Sequence, residues 1–382
     1  MSTGRRILVI GAGIGGLSAA IALRQAGVQV KIFERAASLK EVGAGIGLSA
    51  NATRVLKQLG VMDAVVARGQ VLEAAQSYNW TGERLGRMSM NLSDVPSLCL
   101  HRADLHQVLL SAVPPDCLHL GQEFLGLEQA SDTVTARFAS GLTEAGDALV
   151  GADGLRSRVR LELLGDGKPV YRGYQCWRGV CDYPANDVLT ETFGQGVRVG
   201  LVPLGARGTA WWFTANEPEK AEDGPEGASA KLAGWVRNWH APIPEVIDRT
   251  DPQSILKTGI YDRSPTKRWS HGLCTLLGDA AHPATPNMGQ GGCMAIEDAV
   301  VLARCLSSGT DTRKALSVYQ GIRAGRTARV IQLSRYYGMM GQWENPIAAM
   351  VRAALLRRSC GKFAVNGYLR FVNYDPCKVA LS

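Results

Sequence analysis

An α/β fold is predicted for this 382-residue chain: a Rossmann-like parallel sheet with helices, an inserted antiparallel β-sheet, and a C-terminal helical segment. Three observations carry the prediction. The first 36 residues read as strand, glycine-rich turn, helix and strand. A second strand, acidic turn and helix follow far downstream, from His271 to Leu306. Between them, residues 171–216 are rich in aromatic and β-branched side chains punctuated by Gly and Pro, the composition of an antiparallel sheet.

The first unit is "RRILVIGAGIGGLSAAIALRQAGVQVKIFERA". A β-branched apolar run, Ile7 to Ile10, leads into Gly11, Gly13 and Gly16. Apolar residues at helical spacing follow, then a second apolar run from Val28 to Phe33 ends at Glu34. In such a unit Gly11 makes the tight turn, Gly13 lets the backbone approach a pyrophosphate, and Gly16 lets helix and strand pack closely. Ile14 and Gly15 share that turn, and the phosphates sit where unpaired N–H groups and the helix dipole favour negative charge. Glu34, with Arg35 beside it, is placed to accept from ribose hydroxyls and would repel a 2′-phosphate. The expected dinucleotide is therefore FAD or NAD rather than NADP.

Two short segments come next. "HRADLHQVLL" holds Arg102 before a helix, and "LVGADGLRSRVR" holds Asp153 and Gly154. Taken alone, the first reads as a surface charge and the second as a turn. "SANATRVLKQLG" reads as a packed helix whose Asn51 could approach a cofactor. The sheet-like segments are "YRGYQCWRGVCDY", "VRVGLVPLG" and "TAWWFTAN"; the alternation of a strand means that neighbours in them cannot face the same way. The charged, Gly- and Pro-containing stretch 216–231 reads as a loop.

The second glycine-rich unit is "HGLCTLLGDAAHPATPNMGQGGCMAIEDAVVLARCL". Asp279 ends a buried strand, and the loop Asn287 to Gly292 presents backbone amides at a helix N-terminus, suited to negative charge on a flat ring. His282 reads as structural, and Glu297 and Asp298 as charges that complement the helix dipole.

With these three motifs in order, the sequence resembles the FAD-dependent class A monooxygenases, the family of p-hydroxybenzoate hydroxylase, salicylate hydroxylase, zeaxanthin epoxidase and bacterial urate hydroxylase. "TPNMGQGG" and "GYQCWRG" look closer to the urate hydroxylase and zeaxanthin epoxidase branch. The resemblance implies that Gly11, Gly13, Ile14, Gly15, Gly16, Glu34 and Arg35 hold the AMP half of FAD. Arg102 would lie along the pyrophosphate and ribityl chain, and Asp153 would serve FAD and pyridine nucleotide. Asp279 would hold the ribityl or pyrophosphate side. Pro286, Gly289, Gln290, Gly291 and Gly292 would flank the isoalloxazine ring. It implies an FAD-binding domain over 1–70, 98–170 and 270–340, a β-sheet substrate domain over 71–97 and 171–269, and a helical segment over 341–382.

The resemblance further implies an enzyme that uses NADH or NADPH and O2 to hydroxylate an aromatic or heteroaromatic small molecule through a flavin C4a-hydroperoxide. Its pocket would be lined or supported by Trp177, Arg178, Val202, Trp211 and Phe213. Arg178, Tyr174 and Pro286 are the candidates for contact with the reacting atoms, and no base is assigned. Asn287 stands where urate hydroxylases carry Asp, which argues against urate. The alternatives are an epoxidase of an isoprenoid or polycyclic substrate and a non-catalytic flavoprotein redox sensor.

Composition narrows the class. The net charge of +8 fits small anionic ligands, since the basic residues do not cluster with aromatics as a nucleic-acid strip would. Nine cysteines without a C-x-x-C pair argue against a disulfide framework and against a metal site, and fit a reducing cytoplasm. No signal-peptide centre or bilayer-spanning run is expected. The basic, apolar stretch 345–376 is expected to cover the FAD domain, with peripheral membrane contact as its second role. A monomer or homodimer is expected.

Overall fold

The computed structural model describes residues 4–39, 43–359 and 369–381. Its six-stranded sheet runs in the order Ser270–His271, Cys274–Leu276, Ala148–Gly151, Arg6–Ile10, Gln29–Phe33, Leu118–His119. All neighbours from Cys274–Leu276 onward are parallel. Ile7, Leu8, Val9, Leu149, Val150 and Leu276 are fully buried, because a parallel sheet is covered on both faces and selects continuous apolar runs.

This strand order decides where chemistry can occur. Four adjacent strands end at the same edge, and each carries one of the sequence signals just beyond its last residue: Asp279, Asp153, Gly11 and Glu34. Ligands of open α/β sheets bind in the crevice outside such carboxyl ends. The helices Ile14–Gln25 and Gly291–Leu306 pack against each other; a Cβ on Gly15 would come within 2.7 Å of Leu277 and 3.2 Å of Ala295. The two glycine-rich helix starts are thereby brought side by side.

A seven-stranded sheet stands over this edge, in the order Leu256–Asp262, Val170–Cys181, Thr209–Asn216, Val197–Pro203, Val188–Phe193, Ala74–Asn79, Arg84–Ser89. It is antiparallel except where Val188–Phe193 pairs with Ala74–Asn79. One face is closed by the helices Gly227–Val236 and Ile243–Asp248, whose Leu232, Val236 and Val246 join its core. The charged stretch before them is tied down by ion pairs from Lys231 to Glu217 and from Lys257 to Asp223, the latter at 2.6 Å.

The 30-residue helix Thr312–Gly341 crosses from one sheet to the other, and Pro346–Ser359 packs on the strand Arg84–Ser89. Residues 369–381 return to the first domain, where Val372 is buried beside Ala50 and Val95. Of the C-terminal stretch expected to be helical, 360–368 lie outside the described residues. The eight described cysteines are free, and among the described residues no helix is long and apolar enough to cross a membrane.

Candidate functional site

The nucleotide end is shaped by glycines. Gly11 has φ +106°, and a Cβ there would lie 2.6 Å from the Ala152 carbonyl oxygen; one on Gly16 would lie 2.0 Å from that of Gly11. Over Gly13, by contrast, a Cβ would meet nothing within 4 Å. The turn is therefore closed against the protein and open toward the crevice. The Ile14–Gln25 helix has no side-chain cap, so its first amides are available to a phosphate. Glu34 accepts from the N–H of Ala12 (2.9 Å) and of Ala36 (3.0 Å), which fixes its carboxylate and leaves further lone pairs for sugar hydroxyls. Arg35 is exposed beside it.

Further along the edge, a Cβ on Gly291 would stand 3.7 Å from Asp279 Oδ1, so this carboxylate borders the start of the Gly291–Leu306 helix. Asp279 is exposed at its outer surface yet densely surrounded; that desolvation pushes its carboxyl up, while the charges of His282 and Arg102 oppose the shift. Arg102 is exposed at the first position of its helix, with its side chain against Gly43. Asp153 is partly spent on its own backbone. It accepts from Arg158 N–H (2.7 Å) and Val159 N–H (3.2 Å), as well as from Ser157 Oγ, and so anchors the Arg158–Leu164 helix. Burial pushes its carboxyl up, against the pull of those donors.

The second loop makes a turn at Pro286–Met288, passes Gly289 at φ +61°, and enters a 16-residue helix with no side-chain cap. The side chain of Gln290 is held from below: it donates to Ser49 Oγ (3.1 Å) and accepts from Asn51 Nδ2 (3.0 Å). Asn51, expected near the cofactor, is fully buried and also donates to Glu297 at 2.5 Å. Glu297 and Asp298, expected as charges that complement the helix dipole, are instead completely buried and paired across the fold. They face the long helix, where Arg323 and Arg326 pair with Glu297 and Arg323 pairs with Asp298 (2.6 Å), while His282, in the turn after Asp279, hydrogen-bonds the other Asp298 oxygen (2.6 Å). Burial alone would raise the Asp298 carboxyl, but His282, Arg323 and the Gly278 N–H outweigh it and hold it at about 2.

Opposite this loop, the open face of the seven-stranded sheet carries a second buried polar group. Arg198 is 1% exposed and donates through Nε to Gln342 Oε1 (2.8 Å), through Nη1 to Glu191 Oε1 (2.9 Å) and through Nη2 to Asn287 Oδ1 (2.7 Å). Tyr337 donates to the other Glu191 oxygen at 2.6 Å. Asn287 Nδ2 points to Tyr174 Oη (2.9 Å), Thr285 Oγ1 (2.8 Å) and the Ser334 carbonyl (2.9 Å). The long helix makes room for these contacts with two glycines: a Cβ on Gly338 would fall 2.3 Å from Asn287 Nδ2, and one on Gly341 would fall 2.7 Å from Arg198. Burial pushes the Tyr174 phenol up, against Arg198 and Asn287, so at neutral pH it is an uncharged hydrogen-bonding group.

Three residues expected to line a pocket are elsewhere. Trp177, Trp211 and Phe213 point to the opposite face, fully enclosed with Val199, Leu232 and Val236, so they are core. The reason is register: Trp177 pairs with Phe213 while Arg178 pairs with Trp212, and each step along a strand changes face. Val202 is on the loop-facing side but buried in a small apolar cluster with Leu204 and Ala210. Arg178 shares the face of Tyr174, four residues or roughly 13 Å along the strand, and donates to Thr258 Oγ1 at 2.6 Å. Arg198, Glu191, Tyr337 and Gln342 escaped the sequence reading. For Arg198 a signal existed: one arginine in the otherwise apolar strand "VRVGLVP".

The two ends of the crevice fit a single extended dinucleotide, since both uncapped helices and the carboxylates of Glu34 and Asp279 lie along one edge. A model of the FAD binding domain family matches residues 5–334. Aurachin C monooxygenase/isomerase of Stigmatella aurantiaca is 45% identical over 364 residues, covering 94% of this chain and 95% of its own. 6-Hydroxynicotinate 3-monooxygenase of Pseudomonas fluorescens is 33% identical over 87% of this chain and 91% of its own. Among solved structures, Klebsiella pneumoniae HpxO complexed with FAD and uric acid superposes with a TM-score of 0.92 at 29% identity, covering 98% of each chain. The chain belongs to the FAD binding domain family and is a class A, FAD-dependent aromatic monooxygenase.

Proposed function

We propose that the substrate is an electron-rich aromatic or heteroaromatic molecule bearing a hydroxyl or oxo group, held between the 286–292 loop and the open sheet face by Tyr174, Asn287 and Arg198. The observation that carries this reading is Asn287: it belongs to the loop beside the flavin position, yet reaches Tyr174 at 2.9 Å and Arg198 at 2.7 Å on the sheet. A molecule entering there exchanges those internal hydrogen bonds for bonds to itself. Glu191 is occupied by Arg198 and Tyr337, and Tyr174 is neutral, so the site recognises polar atoms rather than removing a proton. That chemistry suits rings that are nucleophilic without a protein base. An amide at 287, where a carboxylate would accept from ring N–H groups, weighs against urate.

Bound FAD supplies the oxidation chemistry, with NADH or NADPH as reductant and O2 as oxidant. Gly11, Gly13, Ile14, Gly15, Gly16, Glu34 and Arg35 would hold its AMP half. Arg102, Asp153, Asp279, Pro286 and Gly289 to Gly292 would border its flavin half. Gln290, locked by Ser49 and Asn51, keeps the loop amides in place and limits water entry. The same reading takes residues 71–97 and 171–269 as the substrate part, the protein as cytoplasmic, a monomer or homodimer as its state, and the C-terminal segment as its peripheral membrane contact.

The experiment is aerobic turnover with NADH or NADPH and 18O2, using aurachin C, 6-hydroxynicotinate, urate and quinolones as candidate substrates. One candidate should accelerate nicotinamide oxidation and yield product carrying a single labelled oxygen. Ligand binding with no turnover by any candidate would instead favour a redox-sensing flavoprotein.

A further inference from the structure

The helix Pro346–Ser359 is inverted. Ile347, Met350, Val351, Ala354 and Leu355 recur at helical spacing on its outer side, with Ile347 and Met350 each 71% exposed. Its inner side carries an arginine instead: Arg352 is 3% exposed and donates through Nη1 to the Gly341 carbonyl (2.9 Å) and through Nη2 to the Gly194 carbonyl. Its guanidinium also lies 5.1 Å from the Phe193 ring. These bonds set the rotation of the helix about its axis, because turning the apolar stripe inward would swing Arg352 out and take its donors from the Gly341 and Gly194 carbonyls.

The surroundings of the stripe are basic. Between Thr312 and Ser359 the only acidic residue is Glu344. Arg357 and Arg358 are exposed at the helix end, and Arg84 and Arg87 are exposed on the strand against which the helix packs. Trp80, 44% exposed, sits in the turn before Glu83, the partner of Arg357. An apolar stripe with an arginine border and a half-exposed tryptophan matches the layering of a bilayer interface with anionic headgroups. A second copy seated on the same face would bring two acid-poor arginine borders together.

We propose that the outer face of the Pro346–Ser359 helix docks on the surface of an anionic lipid bilayer. This deepens the peripheral contact included in the proposed function and does not depend on which ring is hydroxylated. A cavity of about 260 Å³, lined by residues that include Tyr171, Arg172, Tyr174, Thr285, Arg335 and Met339, opens beside the last turns of the long helix. Those turns carry the exposed Tyr336 and Met339 and end at Gly341, the residue Arg352 grips.

The test is co-sedimentation of the full-length, FAD-loaded protein with phosphatidylcholine vesicles, with and without about one-third phosphatidylglycerol. Binding is expected to the anionic vesicles, to weaken with salt, and to fall more than about tenfold for Ile347→Glu/Leu355→Glu. Arg358→Gln should lower it about fivefold. FAD content, melting temperature and turnover of a water-soluble substrate should be unchanged in these variants, so loss of docking is distinguishable from loss of hydroxylation. Absence of binding to anionic vesicles, or equal binding by variant and parent, would overturn the proposal. So would a concentration-dependent dimer that Ile347→Glu/Leu355→Glu dissolves.

Discussion

One face of the seven-stranded sheet buries Trp177, Trp211 and Phe213 against two helices, while the other sets the buried Arg198 and Tyr174 and the partly buried Glu191 against the 286–292 loop. The two faces are chemically opposite, and the polar one is the less completely enclosed, with Glu191 14% exposed. On the first, burial is driven by apolar area and the side chains interlock without direction. On the second, the buried polar groups have directed partners, and the group spans three sheet strands, a loop, and the long helix with its C-cap Gln342. The contrast makes the large aromatic side chains packing and, on the proposed function, gives the buried charges to the substrate site.

The largest effect is expected for Arg198→Met, which leaves the partly buried Glu191 without its cation. Loss of about 3–5 kcal/mol of unfolding free energy is expected, together with a fall in kcat/KM of about a hundredfold or more, read by denaturant titration and by turnover of the substrate found in the screen. Trp177→Ala should cost a similar 3–5 kcal/mol, yet leave kcat/KM within about threefold of the parent. A large activity loss in Trp177→Ala at a temperature where it is folded would erase the distinction between faces.

A smaller effect concerns the buried charges under the loop. The Asp298 carboxyl is held at about 2, below its ordinary value of 3.8, so its contribution is complete above about pH 4 and is lost as pH falls through about 2. That corresponds to about 2 kcal/mol of stability across this window. Acid titration of Asp298→Asn should start from a lower stability at neutral pH and show a flatter acid limb than the parent. Smallest is Tyr174→Phe, which removes one hydroxyl from the Asn287 group. A roughly tenfold drop in kcat/KM with about 1 kcal/mol of destabilisation is expected, and unchanged kinetics would remove Tyr174 from the site.

Much of the nucleotide-binding half was legible because its signals are local. The turn from Ile10 to Gly16, Glu34 after its strand, and Asp279 before its loop each announce themselves within a few residues, and the parallel sheet then places them on one edge. The substrate side was legible only as a sheet. Aromatic residues stand out in "GYQCWRG" and "TAWWFTAN", but which face each takes depends on pairing that no single strand contains. The partners of Arg198 come from Glu191, Asn287 and Gln342, up to 144 positions apart in the chain, so nothing local joins them. Glu297 and Asp298 misled for the same reason: near a helix start they resemble dipole partners, and only the packing of the long helix reveals Arg323 and Arg326 across from them.

On the proposed function, the polar face serves the substrate and not stability. Replacing both members of its ion pair, Glu191→Leu with Arg198→Met, removes the unpaired charge that the single change creates. The measurement is kcat/KM of this double variant beside its unfolding free energy. Stability within about 1 kcal/mol of the parent with activity still down by about a hundredfold is the predicted result. Activity that returns along with stability would contradict it, because the pair would then be a structural strut and the substrate would be held elsewhere.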